Sequence, residues 1–254
     1  MKNIERFKKI ITTFKIKNLI KSIGLSILAL QMLGCSSKNN ITGMEEQIEY
    51  PTFNMRLDFD DLNGWTNASQ NMKGVVNYAI SDGLLNIFTR ANTWDRPKIK
   101  TLETYTTGKY TWRVFVPEMG VGDKASIGAF LYFNDSHELD FEIGYGKALV
   151  RQNLNAEVDD LLLYTNSQGH PFKSEIFKIK RNQWYTLEID LLLVNNKYQA
   201  VWYINNTELY RLNLEYGKSI AFHILCSVEN LTFIGDHIPT QNNYAIFDYV
   251  EFKR

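Results

Sequence analysis

Three acids stand at alternate positions in the segment His137-Glu138-Leu139-Asp140-Phe141-Glu142-Ile143. Successive side chains of a β-strand point to opposite faces. As a strand, this spacing sets Leu139, Phe141 and Ile143 on one face and Glu138, Asp140 and Glu142 side by side on the other. Neighbouring carboxylates repel, and a merely solvated strand would dilute them with Lys, Thr or Ser. Chemistry supplies a reason for the triple. Residues four apart on a strand have Cα atoms roughly 13 Å apart, and two glutamates leaning together close much of that gap. Carboxyl groups about 5–5.5 Å apart are what retaining glycoside hydrolysis needs, one as nucleophile and one as acid/base. An aspartate between them can hold a proton or hydrogen-bond to the nucleophile, spreading the pKa values apart.

Such a strand needs neighbours, and the chain from Tyr50 onward offers them. Short runs rich in Tyr, Phe, Trp, Val, Ile and Thr recur at Leu84–Thr89, 109–116, 126–133, 138–143, 184–192, 198–204, 219–228 and 244–253. Between them lie turn-forming groups: Ser81-Asp82-Gly83, Asn134-Asp135-Ser136, Asn195-Asn196-Lys197 and Asn205-Asn206. No amphipathic helix of twelve residues is apparent. Segments of this number and spacing predict an all-β fold, a two-sheet antiparallel sandwich. Alternation assigns faces: Ile127, Ala129, Leu131 and Phe133 to the core, as are Tyr185, Leu187, Ile189 and Leu191. The opposite face of the first run carries Ser126, Gly128, Phe130 and Tyr132. Trp112 and Trp202 lie in runs apolar on both faces, and alternation gives them no side.

The N-terminal segment reads as an address. Arg6, Lys8, Lys9, Lys15, Lys17 and Lys21 precede the apolar run Ile23 to Leu33, which is about half the roughly 20 residues a membrane span requires. The run stops at Gly34-Cys35-Ser36-Ser37, and Met32-Leu33-Gly34-Cys35 resembles a lipoprotein box. Residues 1–34 are expected to be a signal peptide, Cys35 the lipidated residue, 35–49 a polar tether and 50–254 a single domain. Two acyl chains would anchor stably; cleavage with simple secretion is the alternative. The chain has 28 Lys+Arg and 28 Asp+Glu. Without residues 1–34 the balance becomes 21 against 27, a formal charge of −6, which gives no electrostatic reason to expect nucleic acid. With Cys35 lipidated, Cys226 has no disulfide partner and reads as a buried strand residue. No Cys/His spacing suggests zinc, and neither a Ser-His-Asp set nor a phosphate-cradling glycine loop is present.

The residues resemble glycoside hydrolase family 16, the β-glucanase and laminarinase group with a concanavalin-like jelly roll. Its E-x-D-x-E signature matches Glu138, Asp140 and Glu142, and the likeness extends over most of residues 56 to 254. Arg56-Leu57-Asp58-Phe59-Asp60-Asp61-Leu62-Asn63-Gly64-Trp65 looks like the family's opening strand and loop, and Asp82-Gly83-Leu84-Leu85 like its second. Gly108-Lys109-Tyr110-Thr111-Trp112-Arg113, Trp202-Tyr203-Ile204-Asn205-Asn206 and Phe247-Asp248-Tyr249-Val250-Glu251 follow in the family's order. The resemblance implies Glu138 as nucleophile, Asp140 as its helper and Glu142 as acid/base. With a single residue between Asp140 and Glu142, the strand looks like the unbulged lichenase and xyloglucanase subgroup. Two departures, Leu131 for the usual Trp and Trp184 for the usual His, leave the substrate class open.

Sugar rings stack on aromatic faces, which makes Trp94, Phe130, Tyr132, Tyr145 and Trp184 candidate substrate-binding residues. Gln152 is added because family members use a polar residue after the acidic strand. No cofactor is implied. Some relatives hold a structural calcium near the chain's β termini, where Asp58, Asp60, Asp61 and Asp248 lie. The expected activity is retaining, endo-acting hydrolysis or transglycosylation of a β-linked polysaccharide by a monomer in a bacterial cell envelope, lipid-anchored or secreted. Two rivals stay open: a surface glycan-binding lipoprotein of the same fold without turnover, and a structural sandwich whose acidic triple binds a cation.

Overall fold

The computed structural model describes residues 53–254. The expected signal peptide 1–34, Cys35 and the tether 35–49 lie outside the described residues. Among the described residues, fifteen strands, numbered in chain order, form two sheets. One runs β13 (Thr207–Asn213), β12 (Lys197–Ile204), β11 (Gln183–Val194), β6 (Gly108–Val116), β15 (Asn243–Lys253), β4 (Leu84–Thr89) and β3 (Tyr78–Ser81), with β1 (Asn54–Asp58) also on β15. The other runs β10 (Lys173–Lys180), β9 (Asp160–Ser167), β8 (His137–Gly144), β7 (Ala125–Asn134), β14 (His223–Asn230), β5 (Lys98–Thr101) and β2 (Trp65–Asn67). All strand pairs are antiparallel.

Turn chemistry sets the hairpins. Asp82-Gly83, Asn195-Asn196 and Asn205-Asn206 all take positive φ at both positions, the conformation that matches the twist of two-residue hairpins and that Asn, Asp and Gly tolerate. The hairpin between β7 and β8 is fixed by Asn134, whose Oδ1 accepts the Ser136 N–H at 3.0 Å.

The core lies between the sheets. Ile127, Ala129 and Leu131 meet Leu139, Phe141 and Ile143 from the seven-stranded sheet, and Tyr185, Leu187, Ile189 and Leu191 face them from the other. Both tryptophans that alternation left unassigned are fully buried. Trp112 of β6 reaches across the core, its Nε1–H donating to the Leu225 carbonyl of β14 at 3.1 Å. One side chain thus ties the two sheets together. Trp112→Ala is expected to cost about 3–5 kcal/mol, read as a lower midpoint in urea unfolding; a change under about 1 kcal/mol would show that the sheets are held without it.

Two expectations about the strands need correction, and several strands fall outside the expected runs. Phe133, assigned to the core, is 47% exposed, because the register slips between Tyr132 and Asn134 and the alternation ends there. The strand expected from Ser219 starts at His223 and runs to Asn230. Ile220 donates back to Gly217 and Phe222 bridges Tyr105, so the segment before His223 is turn and isolated bridge. Strands β3, β5, β9, β10 and β13 were not anticipated. Every residue of β9 is buried, and a strand covered on both faces shows no alternation. Leu162 and Tyr164 on its outer side lie under Ile234, with Val150, Leu154, Leu231 and Phe233 packed around them. Strand β10 ends its sheet and carries Lys173, Lys178 and Lys180, as edge strands do when charge blocks further pairing.

Candidate active site

Strand β8 is regular where the acids sit. Its register with β7 is continuous from Tyr132↔Glu138 to Ile127↔Ile143, and with β9 from Leu139↔Ser167 to Gly144↔Leu162. Leu139, Phe141 and Ile143 are in the core. Glu138, Asp140 and Glu142 therefore share the outward face of the seven-stranded sheet. Across that face, Asp140 stands between Phe130 and Asn166, and Glu142 between Gly128 and Tyr164.

The three acids are deep for an outward face. Glu138 is half-buried, Glu142 is 6% exposed and Asp140 is fully enclosed. Burial disfavours the charged form and is the first cause of every shift among them. Glu138 is pushed up to about 7, with the charge of Glu229 adding to burial and the Asp140 hydrogen bond and Lys98 opposing it. Glu142 is pushed up to about 8 by burial and then by Glu229 and Glu138, against the hydrogen bond from Ser126 and the charge of Lys98. Asp140 lies well above the usual carboxylate range, driven by burial and by the flanking Glu138 and Glu142.

Hydrogen bonds order this set. Gln168 Nε2–H donates to Asp140 Oδ2 at 2.8 Å, and the Ser126 hydroxyl donates to Glu142 Oε2. Asp140 Oδ1 meets no donor from other residues. A proton kept on Asp140 and shared with Glu138 satisfies both. Burial thus keeps protons within this set toward neutral pH, and Asp140, between the two glutamates, can share one with Glu138.

The candidate binding residues divide. Phe130 and Tyr132 lie on the acid-bearing face, opposite Asp140 and Glu138. The Phe130 ring extends over Gly128, where an added Cβ would come within 3.2 Å of it and 2.4 Å of Ser227 Oγ; glycine leaves that floor free. Tyr132 donates to Asp135 at 2.9 Å and lines a recess of about 460 Å³ with Asn134, Asp135, Ser136, His137 and His170. Trp94 is 46% exposed, with the Lys124 ammonium over its ring at 5.1 Å. Its loop is pinned to the end of β14 by Asn230, whose side chain donates to the Thr93 carbonyl and whose backbone N–H donates to the Asp95 carbonyl.

The other three do not join them. Trp184 sits on β11 of the opposite sheet, against Phe115 and under Arg113. Its neighbour Tyr185 points to the core, so Trp184 faces away from it. Tyr145 continues the odd-numbered parity of β8 and packs into the core, with the Arg151 guanidinium stacked on its ring at 3.9 Å. Gln152 is exposed on the short helix Ala148–Asn153, because Arg151 is that helix's buried residue. Arg151 donates to the carbonyls of Tyr145 and Asp160 at 2.7 Å each, fixing the β8–β9 connection.

Sequence reading missed Ser126, Gln168, Lys98 and Glu229. The last two had a signal: Glu229 extends the apolar run of β14, and Lys98 interrupts Pro97-Lys98-Ile99, so each is a charge placed where the sheet buries its residues. The acids Asp58, Asp60, Asp61 and Asp248 do not gather as a ligand set. Asp58 pairs with Arg56 and Asp61 holds Asn63. Among the described residues, the carboxylate group of metal-binding dimensions is Glu157, Asp159 and Asp160, and Lys180 Nζ already reaches all three, at 2.7, 2.9 and 2.8 Å.

No family model matches this chain, and no curated protein does. Solved structures do. The chain is similar to a β-1,3-1,4-glucanase (lichenase) derived from a mouse hindgut metagenome, at 15% identity and TM-score 0.57, over 80% of this chain and 99% of that one. It is similar to the laminarinase catalytic domain of Thermotoga maritima MSB8, at 15% identity and TM-score 0.58, over 79% and 96%. A structure described with endo-acting O-glycanases that human gut microbiota use to initiate mucin breakdown superposes with TM-score 0.60 at 12% identity, over 78% and 97%. At such identities the likeness is one of fold: the two antiparallel sheets form the jelly-roll sandwich of the β-glucanases.

Proposed function

We propose that this protein is a retaining, endo-acting glycoside hydrolase or transglycosylase of a β-linked polysaccharide, with Glu138 as nucleophile and Glu142 as acid/base. One observation carries the reading: an unbulged strand presents the three acids in sequence on one face, buried and hydrogen-bonded, with the proton affinity of each raised. In the first step Glu138 attacks the anomeric carbon while Glu142 gives its proton to the departing glycosidic oxygen. A covalent glycosyl–enzyme forms and the leaving chain departs. In the second, Glu142, now a carboxylate, takes a proton from water or from a sugar hydroxyl, which displaces Glu138 with a second inversion. Asp140 carries its proton toward Glu138 and steadies it as the carboxylate leaves. The lichenase and laminarinase neighbours support a glycan as substrate, and the mucin-acting neighbour widens the candidates beyond glucans.

The depth of Asp140 and Glu142 favours a second reading, a glycan-binding protein of the same fold that does not turn over. The two separate on a panel of β-glucans, xyloglucan, galactans, algal glycans and mucin O-glycans, with reducing-end release and binding measured side by side on the full chain. Release from one class supports the enzyme; retention of one class without release sinks it.

We further propose that the chain is anchored to the bacterial envelope through Cys35, on the basic, apolar and Gly34-Cys35 succession of its N-terminal segment. Expressed in a bacterium fed labelled palmitate, the chain should incorporate label and Cys35→Ser should not. Equal labelling of both would rule the anchor out.

A further inference from the structure

Beyond Glu142 on the outward face lies an ion cluster for which the two catalytic steps above have no use. Glu229 of β14, 2% exposed, receives Arg96 Nε at 2.5 Å and Lys98 Nζ at 2.6 Å on one oxygen, Oε2. Buried ion pairs of this kind are seldom kept for stability, since desolvation offsets most of their attraction and apolar replacements are often as stable. Their position suggests another use. Glu229 is the register partner of Ser126 across β7 and β14, and Ser126 is the residue whose hydroxyl donates to Glu142.

The groups facing Glu142 can be named from each side. Its own strand offers Glu138 and Asp140; β7 offers Ser126 and Gly128; β9 offers Tyr164; β14 offers Ser227 and Glu229; β5 offers Lys98. Glu229 and Lys98 act on Glu142 with opposite sign, the first raising and the second lowering its proton affinity.

We propose that Glu229, oriented by Arg96 and Lys98, is a positioning residue for the acid/base: its charge, set behind Ser126, keeps the proton on Glu142 until a glycosidic oxygen takes it. The proposal rests on the reading of Glu142 as acid/base, and its test does not depend on turnover. In the full chain labelled with ¹³C at glutamate carboxyls, the Glu142 resonance is assigned by its loss in Glu142→Gln, and its midpoint is followed with pH. Glu229→Gln should lower that midpoint by about one pH unit or more, the scale on which a nearby charge acts. Lys98→Met should raise it. Opposite displacements from two substitutions in one ion cluster are not what lost packing would produce. If Glu229→Gln fails to fold, Lys98→Met carries the test alone. A Glu142 midpoint unmoved by the folded variants overturns the proposal. Displaced midpoints in a chain that cleaves no glycan would uphold the electrostatic role and discard the catalytic reading. Cleavage whose alkaline pH limb ignores Lys98→Met would do the reverse.

Discussion

Glu138→Gln should leave reducing-end release about 10⁴-fold or more below the parent on whichever polysaccharide the parent cleaves, with KM little changed. The amide keeps the size and some of the hydrogen bonding of the carboxylate but cannot form the glycosyl ester, so the loss falls on kcat. Glu142→Gln should behave differently according to the leaving group. On polysaccharide, whose departing alkoxide needs a proton, the loss is expected at about 10²–10⁴-fold. On an aryl glycoside with an acidic phenol the first step needs little help, and Glu142→Gln should retain far more of the parent rate than Glu138→Gln does. Equal losses on both substrates would remove the distinction between nucleophile and acid on which the assignment stands. Activity surviving in Glu138→Gln on polysaccharide would place the chemistry elsewhere.

The second large effect is on stability and runs against the usual behaviour of carboxylates. Glu142 has a folded pKa of about 8 against an ordinary 4.5, so the native state holds a proton that the unfolded chain has released. A raised folded pKa contributes stability that is fully present below about pH 4.5, and lost as pH rises to and through about 8. Glu138, pushed up to about 7, works in the same direction. The parent should therefore lose stability between pH 5 and pH 9, by an amount on the order of a few kcal/mol. Glutamine at 142 accepts the Ser126 hydroxyl and has no proton to lose. Glu142→Gln should accordingly unfold at higher urea than the parent at pH 9, with the difference shrinking toward pH 5. Parallel curves for parent and variant over this range would mean that Glu142 is not buried as described. The same burial that makes the acid useful thus makes the folded state alkali-sensitive, a cost of the kind active sites commonly impose.

The sequence made the centre of this arrangement readable and left its surroundings obscure, for physical reasons. The acids at 138, 140 and 142 were legible because strand alternation is a local rule, and β8 obeys it without a bulge. The hairpin turns were legible because Asn, Asp and Gly at positive φ announce themselves. Strand β9 was not, since a strand covered on both faces has no alternation to read. Phe133 was misassigned where the register slips, an event decided by the turn beyond it. Trp184 was grouped with the acids on residue type alone, yet which of two sheets a strand joins depends on pairing between β11 and β6, 70 or so residues apart in the chain. Tyr145 follows the strand's own parity into the core and could have been excluded by counting on from Ile143. Lys98 and Glu229 lie 131 residues apart, and their meeting beside Glu142 is a product of the jelly-roll crossing that brings β5, β14 and β7 together.

The most direct test of the central proposal is the stereochemistry of the first product, followed by proton NMR immediately after the full chain is mixed with a cleavable β-linked oligosaccharide. Glu138 as nucleophile requires two successive inversions, so the new reducing end should appear first as the β anomer and only then mutarotate. A first product of α configuration would mean a single displacement by water, and Glu138 could not then be the nucleophile.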